Sequence, residues 1–589
     1  MGFFQQPVNG GTMATTEKLL QEEVSAAEAI MRVLEEMGID MVFGIAGGNT
    51  GRFFHALYFH QSTIRTVLVR HESLAGVMAE VYGRLTGKPG VAIGQGAFMI
   101  SNGLLGVVEA HLGSSPMLIL TDLSDQSPFS QHAPYQSGTG EYGAWDAKQS
   151  FSGVTKLTMV PQEPVQAVQS VQLAMKHALS GEQGPVAVIC HSAAFRGRVG
   201  PNSTPSLYPT RFYLPPKPAG DPALIEAAAK SLLKAKNPVI LAGNGVRLSQ
   251  AYKELQELSE ILGAPVGTTA AGKGVFPETH ELALGAFGNY GQATANAFIG
   301  QADWIFCVGT RLGPVDTARE NPELIDPQRQ DLIQVDIEPK NAGWSFPCEH
   351  RIIGDAAMVM SQLTAAIQKN GRPSVETLST RKEVLKKLRE EHHFFNVPAY
   401  GSEEVPILPE RLIAEIHKAI ADGAFIACDA GENRLFMTHL FQTKGAGTLI
   451  MPGIGAMGYS IPAAMAAKLI YPDRQVLAVC GDGGFGMSMN GLMTAFEENI
   501  PIGVVIFNNS ALGWVKHGQG KRVIASDFKN MNYAEIAKAM GCQGIRVEEP
   551  GQISAALAEA LKGERPTVVD VVTSLKSSFL DVTSPLAGP

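Results

Sequence analysis

Short apolar runs alternate with helical patterns along almost the whole chain. Early on, the runs are Met41-Val42-Phe43-Gly44, Gly90-Val91-Ala92-Ile93, Met117-Leu118-Ile119-Leu120 and Val186-Ala187-Val188-Ile189. Each is strand-length and uniformly apolar, as a strand buried on both faces must be. The pattern returns at Pro238 to Gly243, Trp304 to Gly309 and Leu332 to Asp336, and again in the run ending at Gly481. Strands alternating with helices predict an α/β protein made of open parallel sheets.

The breaks in this pattern divide the chain. Residues 1–16 read as a flexible N-terminus and 17–199 as a first domain. The Pro- and Ser-rich stretch 200–221 reads as a linker, and 222–370 as a second domain. A connector, 371–405, carries the charged helical run Arg381 to His393. The third domain spans 406–575, and 576–589 forms a tail, expected to pack loosely. Three domains suit 589 residues, more than one core usually serves. The first and third domains share a local context. Ser115 to Asp122 and Ile500 to Phe507 each place a strand after a helix bearing glutamate, Glu109 in one case and Glu497 and Glu498 in the other. They read as distant versions of one unit.

The candidate chemistry gathers at one strand end. The run through Val479 leads into Gly481-Asp482-Gly483-Gly484, then a helix expected from near Met487, then a strand ending Phe507-Asn508-Asn509. A carboxylate at one strand end and a carboxamide at the next make an all-oxygen site for a hard cation such as Mg²⁺. Such an ion keeps waters and shares a phosphate. The glycines let the backbone approach a diphosphate, and a helix N-terminus favours that anion.

This stretch resembles the thiamin-diphosphate binding motif, Gly-Asp-Gly followed by a paired Asn. The first domain carries Arg70-His71-Glu72-Ser73-Leu74-Ala75 and then Ala79-Glu80-Val81-Tyr82-Gly83-Arg84-Leu85-Thr86-Gly87. These are similar to the His-Glu-x-x-Ala and Gly-Tyr-Ala-Arg-x-Thr-Gly blocks of thiamin-diphosphate-dependent 2-oxo-acid decarboxylases and carboligases. The resemblance covers nearly the whole chain, and its general pattern is that of the acetolactate synthase-like group. It implies three consecutive open parallel-sheet domains: pyrimidine-binding, central Rossmann-like and diphosphate-binding.

The resemblance also implies roles for residues. Glu72 hydrogen-bonds the aminopyrimidine ring nitrogen, where a shielded carboxylate shifts the ring's basicity. Leu449 to Tyr459 resembles the family's Gly-x-Met-Gly-Tyr segment. It makes Met457 the bulky residue beneath the cofactor and the Gly455 carbonyl an acceptor for its amino group. Asp482, Asn509 and the Ala511 carbonyl are the implied Mg²⁺ ligands. Gly431, Gly483, Gly484 and Leu512 complete the implied cofactor site. Glu432-Asn433 stands where relatives often carry Gln-His, so the Glu432 carboxylate must turn away from a diphosphate or be screened by metal. In the central domain Gly243, Gly245, Arg311 and Asp336 are nucleotide-binding candidates. Relatives hold FAD or an ADP or CoA moiety there, or nothing, and the residues leave these alternatives open.

The substrate pocket departs from the acetolactate synthase pattern. Phe98 and Met99 put bulk where small residues are usual, Tyr142-Gly143-Ala144 lacks a usual Gln, and His517-Gly518-Gln519 lacks a Trp that Trp514 partly replaces. Gly47, Gly48, Phe98, Tyr142, Trp514 and His517 are the substrate candidates. Gly47 and Gly48 offer backbone N–H groups to a developing oxyanion. His71 and His517 are the nearest acid–base candidates. Two substrate readings stay open. One is a 2-oxo acid that is decarboxylated and ligated. The other is an acyl-CoA, as in 2-hydroxyacyl-CoA lyases and oxalyl-CoA decarboxylases. A third reading is a non-catalytic descendant, which would be expected to lose Glu72 or the Gly-Asp-Gly and Asn set; both are intact.

Composition narrows the partners. A net charge of −9 and a pI of about 5.9 argue against nucleic acid. The sequence has no apolar stretch of membrane-spanning length. Six scattered cysteines, several in apolar runs, read as reduced core residues of a cytoplasmic protein. The family geometry implies a homodimer at minimum, with Glu72 of one copy facing Asp482 of another, and a homotetramer is the expectation.

Overall fold

The structure is a computed structural model describing residues 17–124, 137–141 and 144–588. The N-terminal extension 1–16 and Tyr142 lie outside the described residues. Among the described residues the main strands form three six-stranded sheets, each wholly parallel. The chain is thus an α/β protein of three consecutive sheets.

The first sheet uses Met41–Gly44, Arg65–Leu68, Gly90–Ile93, Met117–Leu123, Leu157–Met159 and Pro185–His191. Numbered along the chain, its strands lie side by side in the order 2-1-3-4-6-5. The last sheet uses Phe425–Cys428, Leu449–Ile450, Val476–Gly481, Gly503–Asn508, Gln543–Val547 and Thr567–Val572. Its order is the same, 2-1-3-4-6-5. The likeness expected between first and third domains is therefore topological as well as local. The central sheet, from Pro238–Ala242 to His350–Ile353, has the order 3-2-1-4-5-6. That is the doubly wound dinucleotide-binding arrangement, whose crevice lies where the strand order reverses.

Burial explains why these runs are strands. All seven residues of Met117–Leu123 and all six of Gly503–Asn508 are buried. A helix in these places would turn part of its surface to water, whereas a central parallel strand covered by helices on both faces does not. A two-stranded antiparallel pair, Val24–Ser25 with Arg198–Val199, ties the start of the first domain to its end. The connector carries the helix Val375–Glu391, and Arg381 on it donates to the carbonyls of Ala235, Lys236 and Leu262 in the central domain.

The tail differs from the loose packing expected. The Phe579 amide donates to Glu432, the Ser584 amide to the Asn289 carbonyl, and Asn321 Nδ2 to the Leu586 carbonyl at 2.8 Å. Each contact satisfies a backbone group, and together they lay the tail across the third and central domains. All six cysteines are buried, and no helix among the described residues is long and apolar enough to cross a membrane.

Candidate active site

The third and fourth strands of the C-terminal sheet end side by side, with Gly481 opposite Phe507. The helix after the first of them spans Asp482–Ser488, so it begins at the motif itself and not near Met487 as the sequence suggests. The glycines that read as a loop are its first turn. Asp482 Oδ1 accepts from the Gly483 amide at 2.8 Å. Its other oxygen, Oδ2, is buried and has no hydrogen-bond partner. Burial pushes this carboxyl up to about 6, against the pull of nearby backbone amides. A buried carboxylate oxygen without a donor is costly, and a cation is the partner that relieves it. Asn509 lies across the strand end, its Oδ1 accepting from the Ala511 amide at 3.1 Å. Ser510 between them takes a positive φ of 55°, which folds the turn back and brings Ala511 into the same cavity.

Around this pair lies a cavity of about 170 Å³, to which Gly431, Gly455, Met457, Gly483, Gly484 and Leu512 also contribute. Close approach is built in. A Cβ at Gly483 would lie 2.9 Å from Met457 Cε and 3.0 Å from a Leu512 methyl, and one at Gly484 would lie 1.9 Å from Asp429 Oδ2. Glycine backbone at a helix start, a buried carboxylate with a free oxygen and a Met–Leu floor suit a diphosphate with its divalent ion and an apolar ring. The residues present therefore fit both Mg²⁺ and thiamin diphosphate.

Asp429 does different work from a ligand contact. It is fully buried and accepts from the amides of Tyr459 (2.6 Å), Gly458 (2.8 Å) and Ser460 (3.1 Å). It thereby caps the helix Ser460–Ile470 and anchors the loop carrying Gly455 and Met457. Glu432 stands in the cavity wall with one carboxylate oxygen engaged elsewhere. Its Oε1 accepts from the Phe579 amide at 2.7 Å and pairs with His517 Nδ1 at 2.7 Å. His517 Nε2 meets the Leu575 carbonyl at 3.0 Å. With both ring nitrogens engaged, His517 holds the tail rather than facing a substrate. Trp514 lines the cavity and stacks edge-on against Phe579, with centroids 6.1 Å apart.

The first domain's candidates lie elsewhere in the chain. Glu72 is buried at the start of the helix Glu72–Thr86, its Oε2 accepting from Asn102 Nδ2 at 3.1 Å. Gly47 and Gly48 begin a 3₁₀ turn after the first strand, and Phe98 is 43% exposed on the helix Gly96–Ser101. None of these lines the C-terminal cavity, whose walls all come from residues 409–573. Within one chain the structure brings together the diphosphate-side residues and leaves Glu72, Gly47, Gly48 and Phe98 apart from them. His71 caps its own helix, with Nδ1 accepting from the Ser73 amide at 3.3 Å.

The central domain opens on a larger cleft of about 800 Å³, lined in part by Gly245, Arg311 and Asp336. Gly243 is not in its wall. A Cβ there would lie 2.2 Å from the Gly309 carbonyl oxygen, so this glycine serves strand-to-strand packing. Arg311 is paired with Glu182 of the first domain. Asp336 accepts from the Glu338 amide and Asn341 Nδ2, and burial raises its carboxyl.

Comparison with known proteins agrees with this layout. The N-terminal TPP binding domain, the central domain and the C-terminal TPP binding domain of thiamine pyrophosphate enzymes match residues 24–139, 225–363 and 429–571. A probable acetolactate synthase large subunit of Methanocaldococcus jannaschii is 31% identical over 93% of this chain and 92% of its own length. The acetolactate synthase large subunit of Corynebacterium glutamicum is 30% identical, over 96% of this chain and 90% of its own. A sulfoacetaldehyde acetyltransferase of Alcaligenes xylosoxydans is 28% identical, over 92% and 90%. The chain belongs to the thiamine pyrophosphate enzyme family.

The three matched domains fall on the three sheets. In this thiamine pyrophosphate enzyme, sequence reasoning missed two buried carboxylates that accept from backbone amides of the 451–460 segment, Asp429 and Glu109, the latter from Gly453 at 2.7 Å. Asp429 was not among the candidate residues. Glu109 was read only as a glutamate common to two helices. The available signal for Glu109 was a carboxylate inside the mostly apolar helix Leu104–Gly113, a position where burial demands a donor.

Proposed function

We propose that the protein is a thiamin-diphosphate- and Mg²⁺-dependent enzyme that breaks and forms a carbon–carbon bond beside the carbonyl of a 2-oxo acid, in the manner of acetolactate synthases. The observation that carries the cofactor reading is the buried, partnerless Asp482 oxygen beside Asn509 and the glycine cradle. The names of the relatives support the 2-oxo acid.

When bound, thiamin diphosphate supplies a nucleophilic carbon and a sink for the electron pair of the broken bond. The chain's own residues do the rest. Asp482, Asn509 and the Ala511 carbonyl would hold the metal. The glycine backbone at Gly483 and Gly484 would leave room for the diphosphate, and Met457 and Leu512 would supply the apolar wall for the ring. Glu72 holds a proton at the pyrimidine nitrogen, and the amides of Gly47 and Gly48 orient the substrate's oxygens. Phe98 and Trp514 exclude water. The cavity walls lack every first-domain candidate, which supports the reading that Glu72 is supplied by a second copy of the chain. A homodimer is then the smallest complete unit, and we propose a homotetramer as the working assembly.

The 800 Å³ central cleft favours keeping a second reading. We propose that it takes FAD or the ADP part of a coenzyme. If that coenzyme is CoA, the substrate is an acyl thioester, as for a 2-hydroxyacyl-CoA lyase or an oxalyl-CoA decarboxylase. The test is to incubate the protein with thiamin diphosphate and Mg²⁺ and read products by mass spectrometry. The substrates are pyruvate, oxalyl-CoA, a short 2-hydroxyacyl-CoA and sulfoacetaldehyde. Acetolactate from pyruvate is the expected result. A formyl-CoA product would move the chain to the acyl-CoA enzymes, and turnover of sulfoacetaldehyde alone would replace the 2-oxo acid.

A further inference from the structure

The segment Met451 to Ser460 carries Gly455 and Met457 into the cofactor cavity, and it is strung between two buried carboxylates. At its far end Asp429 takes the amides of Gly458, Tyr459 and Ser460. At its near end Glu109, from the first domain, reaches across the domain boundary. Glu109 Oε2 accepts from the Gly453 amide at 2.7 Å and Oε1 from the Ile454 amide at 3.3 Å. Arg84 stands beside them, its Nη2 4.0 Å from Glu109 and its Nη1 donating to the Met451 carbonyl at 2.9 Å.

Glu109 is completely buried. Burying a carboxylate is costly unless donors surround it. An apolar residue would fill an apolar helix at less cost, so what the carboxylate provides is the grip on two amides. Those amides immediately precede Gly455, whose φ of +77° turns the chain into the cavity.

We propose that Glu109 is a positioning residue for thiamin diphosphate: it acts across the domain boundary to hold the Gly453–Met457 turn in its cofactor-receiving shape before the cofactor arrives. This rests on the cofactor reading above. It gives the first domain a second duty besides Glu72, exerted within the same chain.

Hydrogen exchange and calorimetry test it on the full-length protein. In the wild-type apoprotein the Gly453 and Ile454 amides should exchange as slowly as those held by Asp429. Free exchange at 453–454 beside protected 458–460 would overturn the proposal without any variant. Glu109→Gln keeps the shape but leaves one acceptor oxygen, and Glu109→Asp keeps the charge but withdraws both oxygens. Either should speed exchange at 453–454, spare Asp429's amides, and raise the thiamin diphosphate Kd about tenfold, as loss of a charged hydrogen bond predicts. The substrate KM should stay unchanged. Wild-type affinity in a folded variant would sink the positioning role alone. A wild-type protein that binds no thiamin diphosphate would sink the cofactor reading as well.

Discussion

Gly481 pairs with Phe507 in the C-terminal sheet, and Ile93 pairs with Leu120 in the N-terminal sheet. Both pairs join the third and fourth strands of the same 2-1-3-4-6-5 order. One residue further along the third strand stands Asp482 in one domain and Gly94 in the other. Two residues further along the fourth stands Asn509 in one and Asp122 in the other. The C-terminal domain thus has two oxygen-bearing side chains at the strand ends, one with a free buried oxygen. The N-terminal domain has one, Asp122, whose Oδ1 accepts from the Gly96 amide at 3.0 Å and whose Oδ2 is likewise buried without a partner, so the two crevices differ in the second oxygen ligand and not in the first. Nor is there room for the missing one, since a Cβ at Gly94 would lie 2.8 Å from Met99 Sδ. One topology offers the same crevice twice, and two register positions set them apart: the C-terminal crevice presents two oxygen-bearing side chains, Asp482 and Asn509, where the N-terminal one presents Asp122 alone.

The sharpest way to break this comparison is to make the C-terminal crevice resemble its twin. Asp482→Ala should weaken Mg²⁺-dependent thiamin diphosphate binding by roughly 100-fold or more, since even indirect support of a metal ligand is worth 10–100-fold. Calorimetry with and without Mg²⁺ reads this, and unchanged binding would remove Asp482 from the metal site. Next in size, Glu72→Gln should keep the cofactor and lose turnover by about 10²–10⁴-fold, the usual weight of a positioned proton-transfer group. Parallel binding and steady-state rates separate the two domains' duties; a wild-type rate would refute the role given to the N-terminal domain.

A smaller effect tests the cradle. Gly484→Ala places a Cβ 1.9 Å from Asp429 Oδ2, and the resulting strain should cost about 1–3 kcal/mol. A lowered melting temperature checks it, and an unmoved one would mean that the helix start yields. A further effect is in pH. Burial pushes the Asp429 carboxyl up to about 7, above its ordinary value of 3.8. The folded apoprotein then holds a proton that the unfolded chain releases between those values. The stabilisation is fully present below the ordinary value and is lost as pH rises through about 7. Asp429→Asn should flatten that part of the stability–pH curve in denaturant titrations. A slope equal to wild type would assign the titration to another group.

The periodicity of apolar runs was enough to predict three parallel-sheet domains, because a strand covered on both faces must be apolar along its length. The Gly-Asp-Gly and Asn pair was equally legible. A hard cation needs oxygen ligands and a diphosphate needs bare backbone, and both needs are met within one strand–turn–helix–strand stretch. The helix start was misplaced because glycines signal turns, whereas here Asp482 opens the helix and Gly483 and Gly484 complete its first turn. Gly243 was misassigned because a glycine required by a facing strand end looks the same in sequence as one required by a ligand.

What the sequence determined by itself was local: element type, the chemistry at one strand end, and kinship with an enzyme family. Tertiary structure decided what joins distant segments. It set Glu109 against Gly453, turned Glu432 to His517 and Phe579, and kept Glu72 out of the cavity formed by its own chain. The physical reason is that a buried carboxylate takes its donors from whatever backbone the packing brings to it, and packing follows from whole domains meeting, which no short motif encodes.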